Sequence, residues 1–441
     1  MSIKKIERLT QAYCNVIDNF FQWVFSWKFI KKISSLELYK SVFRNEKLVL
    51  VCLFLIGFLI RITLYLVLSP SYYPLSPSDL TSDSKDYDIS AINGITKGEF
   101  SIFFQPGVSF LLGAIYLIFG HNIVIASLVL IVIGSSVGML AYFTSKSVFS
   151  HEGIAYSSFI LIAVYPYLVF ESPRIMSDTL ALFIFASVVY YTIIDFTEKR
   201  QKYSPIIGFL TGILMLTRPN YFWVPILYLI LLVNSSKNGG YAFLVKKCIL
   251  FSITFLMVMT PWIMYTDTQL GEPTLTTNGG VNFYIGNNQN STGRFCTPFG
   301  LEETINEVTR SKEGFKKGFS YILNNPTDYF LLCIKKIYLL IFIPQRLPFE
   351  MFSHKFSAST ELLFSIGVNL GFIVTQFVGI RGIIYSKEKI KDKQIYYYMI
   401  GSLLLLYIIP IVFFVQTRAI IPIIYIWILF LTPYLQYIMK T

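Results

Sequence analysis

The chain has 441 residues, 54% of them hydrophobic and 17% aromatic, and its 37 Lys and Arg outweigh its 25 Asp and Glu to give a net charge of +12. This composition excludes a soluble globular domain and points to an all-α polytopic membrane protein. The basic excess does not indicate a nucleic-acid partner, because Lys and Arg fall between the apolar runs, as they do in cytoplasmic loops.

In chain order, residues 1–48 form a basic segment with nine Lys or Arg and few acids, which places the N-terminus in the cytoplasm. The run 49–69 is long enough to cross a bilayer, is too long for a signal peptide core and has no small-residue cleavage site after it, so it reads as a retained span. Its exit puts the loop 70–121 outside. Within that loop, 106–119 is too short for an easy crossing and reads as an amphipathic or re-entrant helix on the outer face. Spans follow at 122–145 and 154–170, then an external turn at 171–178 and a span at 179–196 returning to the basic stretch 198–202. A short pair, 204–217 and 221–233, is hinged outside at Thr217-Arg218-Pro219-Asn220. Span 242–264 closes a module 49–264 and leads to a large external region, 265–360. There 329–344 reads as an interfacial helix, since Lys335 and Lys336 in lipid would cost a few kcal/mol each. The C-terminal region 361–441 adds spans at 361–380, 395–415 and 419–438, making about 10–12 transmembrane helices with external juxtamembrane helices.

Two acidic sites fall on the external side. One is Asp83-Ser84-Lys85-Asp86-Tyr87-Asp88, and the other is Glu171-Ser172-Pro173-Arg174-Ile175-Met176-Ser177-Asp178. Each has an ordinary reading: Asp83 caps a helix over 84–97, and Ser177 or Asp178 caps the span that follows. Together they also suit convergence over a cavity, where one carboxylate deprotonates a nucleophile and another orients it or holds a cation. Arg61 lies inside the first span, Arg218 between two short spans and Arg418 before the last. A guanidinium at such depth faces a cavity, an acid or an anion, and its fork matches phosphate oxygens; snorkelling is the alternative for Arg218 and Arg418. The cysteines Cys14, Cys52, Cys248, Cys296 and Cys333 are scattered without a CxxC pair and give neither a disulfide framework nor a zinc site.

Several short motifs occur in a fixed order. They are Asp83-Ser84-x-x-Tyr87, Gly98-Glu99-Phe100, Gln105-Pro106-Gly107, Tyr165-Pro166, Ser177-Asp178-Thr179-Leu180, Gly208-x-x-x-Gly212 with Leu216-Thr217-Arg218-Pro219, Thr260-Pro261-Trp262, Thr277-Asn278-Gly279-Gly280, and Arg418-Ala419-Ile420-Ile421-Pro422. In this order, over roughly residues 50–438, the chain resembles the membrane-embedded glycosyltransferases of the multi-helix C-type fold. Within these it is most similar to the family 39-like group of protein O-mannosyltransferases and lipid A aminoarabinose transferases.

The resemblance implies transfer of a sugar from a polyprenyl-phosphate donor to an acceptor hydroxyl on a lipid, glycan or protein, with Asp83 as the base. Asp178 corresponds to the acid of the second external loop, followed by Glu171, and Asp86 stands in for the family's second acid, which Ser84 replaces. Arg218, Arg418, Lys335, Lys336 and Arg61 would hold the donor phosphate, while Tyr87, Asn278 and Tyr284 would contact substrate. The resemblance makes no cofactor certain and leaves a divalent metal, Mg or Mn, open. The expected location is a bacterial inner membrane with the active site on the external, periplasmic face. A transporter or flippase of lipid-linked sugars and a polysaccharide polymerase are the alternative readings.

Overall fold

The computed structural model describes residues 45–69, 72–197, 202–235, 240–296, 300–301, 306–343 and 358–440. The predicted N-terminal segment lies almost wholly outside these. Among the described residues there are sixteen α-helices. They are α1 (Glu46–Leu68), α2 (Ser82–Lys97), α3 (Pro106–Phe119), α4 (Ile123–Phe149), α5 (Glu152–Val164), α6 (Pro166–Glu171), α7 (Ser177–Thr197) and α8 (Ser204–Thr217). The rest are α9 (Trp223–Ser235), α10 (Tyr241–Leu270), α11 (Gly279–Gly286), α12 (Glu307–Asn324), α13 (Pro326–Phe342), α14 (Ala358–Lys389), α15 (Lys393–Val412) and α16 (Ile420–Lys440).

Helix ends follow local chemistry. Asn45, Asn122 and Asp392 accept a hydrogen bond from a backbone N–H in the first turn of α1, α4 and α15, satisfying donors the helix leaves open. Pro166 splits the 154–170 run into α5 and α6, because its ring removes a donor and clashes with the preceding turn. Pro219 does the same between α8 and α9, where one 3₁₀ turn makes the hinge.

Seven segments are long and apolar enough to cross a membrane: α1, α4, α7, α10, residues Ser365–Lys389 of α14, α15, and Thr417–Met439, which contains most of α16. The three shorter apolar helices α5, α8 and α9 occupy the remaining predicted spans. The packing is graded. The spans of α7 and α16 are 78% and 83% buried and form the centre, whereas α1 and α10 are 28% and 17% buried and present Leu55, Ile56, Leu59, Ile253, Leu256 and Met257 outward, as lipid-facing surfaces do. Helices α8 and α10 touch backbone to backbone through Gly208 and Gly212. A Cβ at Gly208 would lie 2.3 Å from the Phe251 carbonyl oxygen, and one at Gly212 would lie 2.8 Å from Val258 Cβ. Small residues four apart allow this approach in apolar surroundings.

Successive spans run antiparallel. The beginning of α1 therefore meets the end of α4, where Lys146 donates to Glu46 at 2.6 Å. The same alternation gathers the α1–α2 connection, the turn before α7, the α8–α9 hinge, α11 and the α15–α16 junction at the opposite end of the bundle. Helix α3 packs Val108, Leu112 and Tyr116 inward against α2 and α4 and leaves Leu117, Ile118 and Phe119 exposed.

Candidate active site

The three carboxylates of the first acidic stretch diverge once α2 forms. Ser82 enters the helix in the left-handed region, φ 51°, a conformation that costs a non-glycine residue roughly 1 kcal/mol. Thr81, the residue before the helix, makes no side-chain cap, and Asp83 does not cap either. Instead Asp83 Oδ2 accepts from Arg418 Nη2 at 2.8 Å. Asp86, one turn on, lines the same cavity and makes no ion pair among the described residues. Partial burial and the neighbouring Asp83 hold its carboxyl above the usual aspartate range. Asp88 points to the opposite side, where it accepts from Tyr116 at 2.6 Å and meets His121 Nε2 at 2.8 Å. It ties α2 to the α3–α4 connection.

Asp83 is one member of a line of alternating charges. Arg418 Nη1 lies 3.9 Å from Asp178 Oδ2, and Asp178 Oδ1 lies 2.9 Å from Arg218 Nη1. The Asp178 side chain is 1% exposed, yet neither of its oxygens receives an aligned hydrogen bond, so its contacts are ionic and not directional. The two guanidiniums are held by neutral partners through Nε: Arg218 donates to Ser177 Oγ at 3.1 Å and Arg418 to Gln416 Oε1 at 3.0 Å. Two carboxylates and two guanidiniums leave the group without net charge.

Asp83, Arg418 and Arg218 from this line form part of the wall of a cavity of about 800 Å³, within the size range of small-molecule sites; Asp178 is buried and does not line it. Asp83, Asp86, Tyr87, Gln105, Ser177, Arg218, Asn278, Gln416 and Arg418 contribute to the wall. Its lining includes apolar Phe295, Ile409, Pro410, Phe413 and Phe414 and polar Thr276, Thr277, Arg310 and Ser311, with an ion pair from Lys312 Nζ to Glu272 Oε1 at 2.5 Å. Asn278 is held beside Thr276, whose hydroxyl donates to the Phe103 carbonyl at 2.6 Å and accepts from the Asn278 backbone N–H at 3.3 Å. Ser177, Gln416 and Gln105 went unnoticed as site residues. Ser177 and Gln105 stood inside quoted motifs, but nothing in the sequence says that α8 and α15 end beside them.

Five predicted site residues stand apart from this cavity. Glu171 is turned to Arg174 Nη1, which lies 2.9 Å from both of its oxygens, with the Tyr72 ring 5.7 Å from the guanidinium. Burial pushes this carboxyl up, and Arg174 opposes the shift. Among the described residues Arg61 pairs with no acid, and it borders a small internal void beside Ser172 and Thr179 instead of the large cavity. It donates to the carbonyls of Ala163 at 2.8 Å and Gly57 at 3.0 Å, and to Ser172 Oγ at 3.0 Å. The break at Pro166 leaves the last carbonyls of α5 open, and Arg61 takes one of them. Lys335 is exposed on α13, while Lys336 is buried and donates to Asn287 Oδ1 at 3.2 Å and to the Ile411 carbonyl at 3.0 Å. Adjacent positions on a helix point about 100° apart, so the two lysines cannot act as a pair. Burial lowers Lys336 to about 8. Tyr284 packs with Val281, Ile285, Leu301 and Phe414 behind the cavity wall.

Among the described residues no three His, Cys, Asp or Glu side chains are grouped to hold a metal ion. Asp83 and Asp178 both already have guanidinium partners, so the present arrangement does not fit a divalent cation.

Residues 105–265 match the family model described as dolichyl-phosphate-mannose-protein mannosyltransferase. Two structures of an oligosaccharyltransferase from Archaeoglobus fulgidus superpose on most of the chain. The one in complex with Zn and sulfate gives a TM-score of 0.54 at 14% identity, covering 88% of this chain and 49% of that one. The archaeal AglB in complex with an inhibitory peptide and a dolichol-phosphate gives 0.50 at 12%, covering 89% and 50%. The fold is that of the C-type glycosyltransferase superfamily. A looser match is ArnT from Cupriavidus metallidurans, at TM-score 0.39 and 12% identity over 86% of this chain and 76% of that one. The chain spans about half the length of the oligosaccharyltransferases it matches. A comparison with curated protein sequences finds no match. In this C-type bundle the matched segment runs from Gln105 at the cavity to α10. Asp178 and Arg218 fall inside it, and Asp83 and Arg418 outside.

Proposed function

We propose that this chain is an integral membrane glycosyltransferase that moves a sugar from a polyprenyl-phosphate donor to an acceptor hydroxyl, with inversion, on the external face of the membrane. The observation that carries this reading is the line Asp83–Arg418–Asp178–Arg218, of which Asp83, Arg418 and Arg218 line a cavity of about 800 Å³. Arg218 and Arg418 offer forked donors to a phosphate. The apolar wall of Phe413, Phe414 and Ile409 suits the first isoprenyl units of the donor. Asp83 takes the acceptor proton as the hydroxyl attacks the anomeric carbon, and the guanidiniums meet the charge that appears on the leaving phosphate. Tyr87, Asn278 and Asp86 line the space left for sugar and acceptor. The dolichol-phosphate held by AglB, a protein of similar fold, agrees with a lipid-phosphate ligand. The acidic loops are assigned outside by the basic loops at the other end of the bundle.

The test is transfer of labelled sugar from a polyprenyl phosphate by purified protein in lipid. Asp83→Asn is expected to lower the rate by about 10²–10⁴-fold, the usual worth of a positioned general base. Full transfer by Asp83→Asn refutes the assignment of the base.

A further inference from the structure

The proposed base is not free in the structure. Asp83 Oδ2 is engaged by Arg418 Nη2 at 2.8 Å, and the same guanidinium lines the cavity that would receive the donor phosphate. Arg418 therefore serves two anions that compete for it. Asp178 does not relieve the competition, since it lies 3.9 Å from Arg418 and 2.9 Å from Arg218, its closer partner. We propose that Arg418 changes partner during turnover, leaving Asp83 for the phosphate of the lipid donor, so that donor binding is what releases the base. The inference rests on the glycosyltransferase reading above.

The charges follow through the reaction. At rest the two carboxylates and two guanidiniums sum to zero, and the donor phosphodiester adds one negative charge. In the transfer step the acceptor oxygen bonds to the anomeric carbon as the bond from that carbon to the phosphate oxygen breaks. The bonding pair leaves on the phosphate, and the acceptor proton goes to Asp83. Asp83 is then neutral and has no further need of a guanidinium, while the leaving group has become a dianionic phosphate monoester. Arg418, already on the phosphate, therefore stays there as the second phosphate charge forms, and total charge in the cavity is unchanged. Before a donor arrives, a carboxylate that took a proton would forfeit its ion pair, so an acceptor entering first is not activated. The arrangement imposes donor before acceptor, with Gln416 anchoring Arg418 Nε at 3.0 Å while its other nitrogens change partner.

The product side gives the sharpest test, because undecaprenyl phosphate alone competes with Asp83 for Arg418. Binding of undecaprenyl phosphate to purified protein in nanodiscs is compared for wild type, Asp83→Asn and Asp86→Asn. Asp83→Asn is expected to bind at least about tenfold more tightly, since the ligand no longer displaces a charged partner. Asp86→Asn removes an equal charge from the same cavity but frees no arginine, and is expected to tighten binding by less than about threefold. Equal tightening by both variants, or none by Asp83→Asn, overturns the exchange. Binding with transfer but without these effects sinks the exchange alone. A wild-type protein that neither binds the lipid phosphate nor transfers sugar sinks both readings.

Discussion

Arg418 meets carboxylates from two distant stretches of chain, and Asp178 sits between two guanidiniums, so substitutions at these positions act on several partners at once. Removing Asp178 leaves Arg218, whose side chain is 12% exposed, without its charged partner. Asp178→Ala is expected to cost about 3–5 kcal/mol, the usual result of stranding a buried charge, seen as a lower unfolding temperature in detergent. Arg418→Lys keeps the charge but loses the fork that reaches Asp83, Asp178 and Gln416 together, and transfer is expected to fall about tenfold or more while expression holds. At this scale the sequence was informative about which residue types matter and less so about where they point. Asp83, Asp178, Arg218 and Arg418 stood out because charge is scarce in an apolar chain, and all four meet. Glu171 stood out for the same reason and points elsewhere, since Arg174 three residues on captures it. Arg61, expected to face an acid or a phosphate, is satisfied by carbonyls and a hydroxyl, which carry no charge signature in a sequence.

The elements around the cavity are fixed by contacts that leave little slack. Helix α11 lies against the end of α15 at Gly286, where a Cβ would come within 1.6 Å of the Phe413 carbonyl oxygen. Gly286→Ala therefore has to push α11 away from Phe413, and both unfolding temperature and transfer are expected to drop, by more than for Gly367→Ala, where a Cβ meets nothing within 4 Å. The same α15 terminus is closed by Lys336 and Asn287, which donate to the carbonyls of Ile411 and Val412. Lys336→Met leaves the Ile411 carbonyl and Asn287 Oδ1 without this donor, at an expected cost of about 1–3 kcal/mol. The pH dependence has a definite sign. Lys336 titrates near 8 in the folded protein against 10.5 for an ordinary lysine. Between these values the unfolded chain holds the extra proton, so wild type gains stability relative to Lys336→Met as pH rises from 8 to 10.5. Helix existence was legible from apolar runs and prolines. The role of Lys336 was not, because it depends on α15 ending beside α13, a pairing between segments roughly seventy-five residues apart.

Among the described residues, the proposed catalytic side chains collect at one end of the bundle, and Lys146, Lys247 and the connection 387–393 lie at the other. That division follows from strict alternation of spans, which the spacing of basic loops already implied. A cysteine placed at exposed Glu99 in a cysteine-free background is expected to react with a membrane-impermeant maleimide on intact cells, whereas one at exposed Lys391 should react only after permeabilisation. The reverse pattern would put the cavity on the cytoplasmic side and remove the external donor scheme. The seven long spans were easy to read from long apolar runs. The three shorter helices, α5, α8 and α9, were harder to place, since each is shorter than the thickness of a bilayer and depends on its neighbours for position.

The ion pair between Asp83 and Arg418 joins residues 335 positions apart. A chain emerging from the ribosome inserts α1 and passes α2 across early, but Asp83 finds its partner only when the junction before α16 has been made. Up to that point the cavity lacks Arg418, and the N-terminal spans carry an incomplete proposed site through most of synthesis. The proposed site is therefore completed late in biogenesis, and a protein truncated before Arg418 is expected to insert its earlier spans and to transfer no sugar.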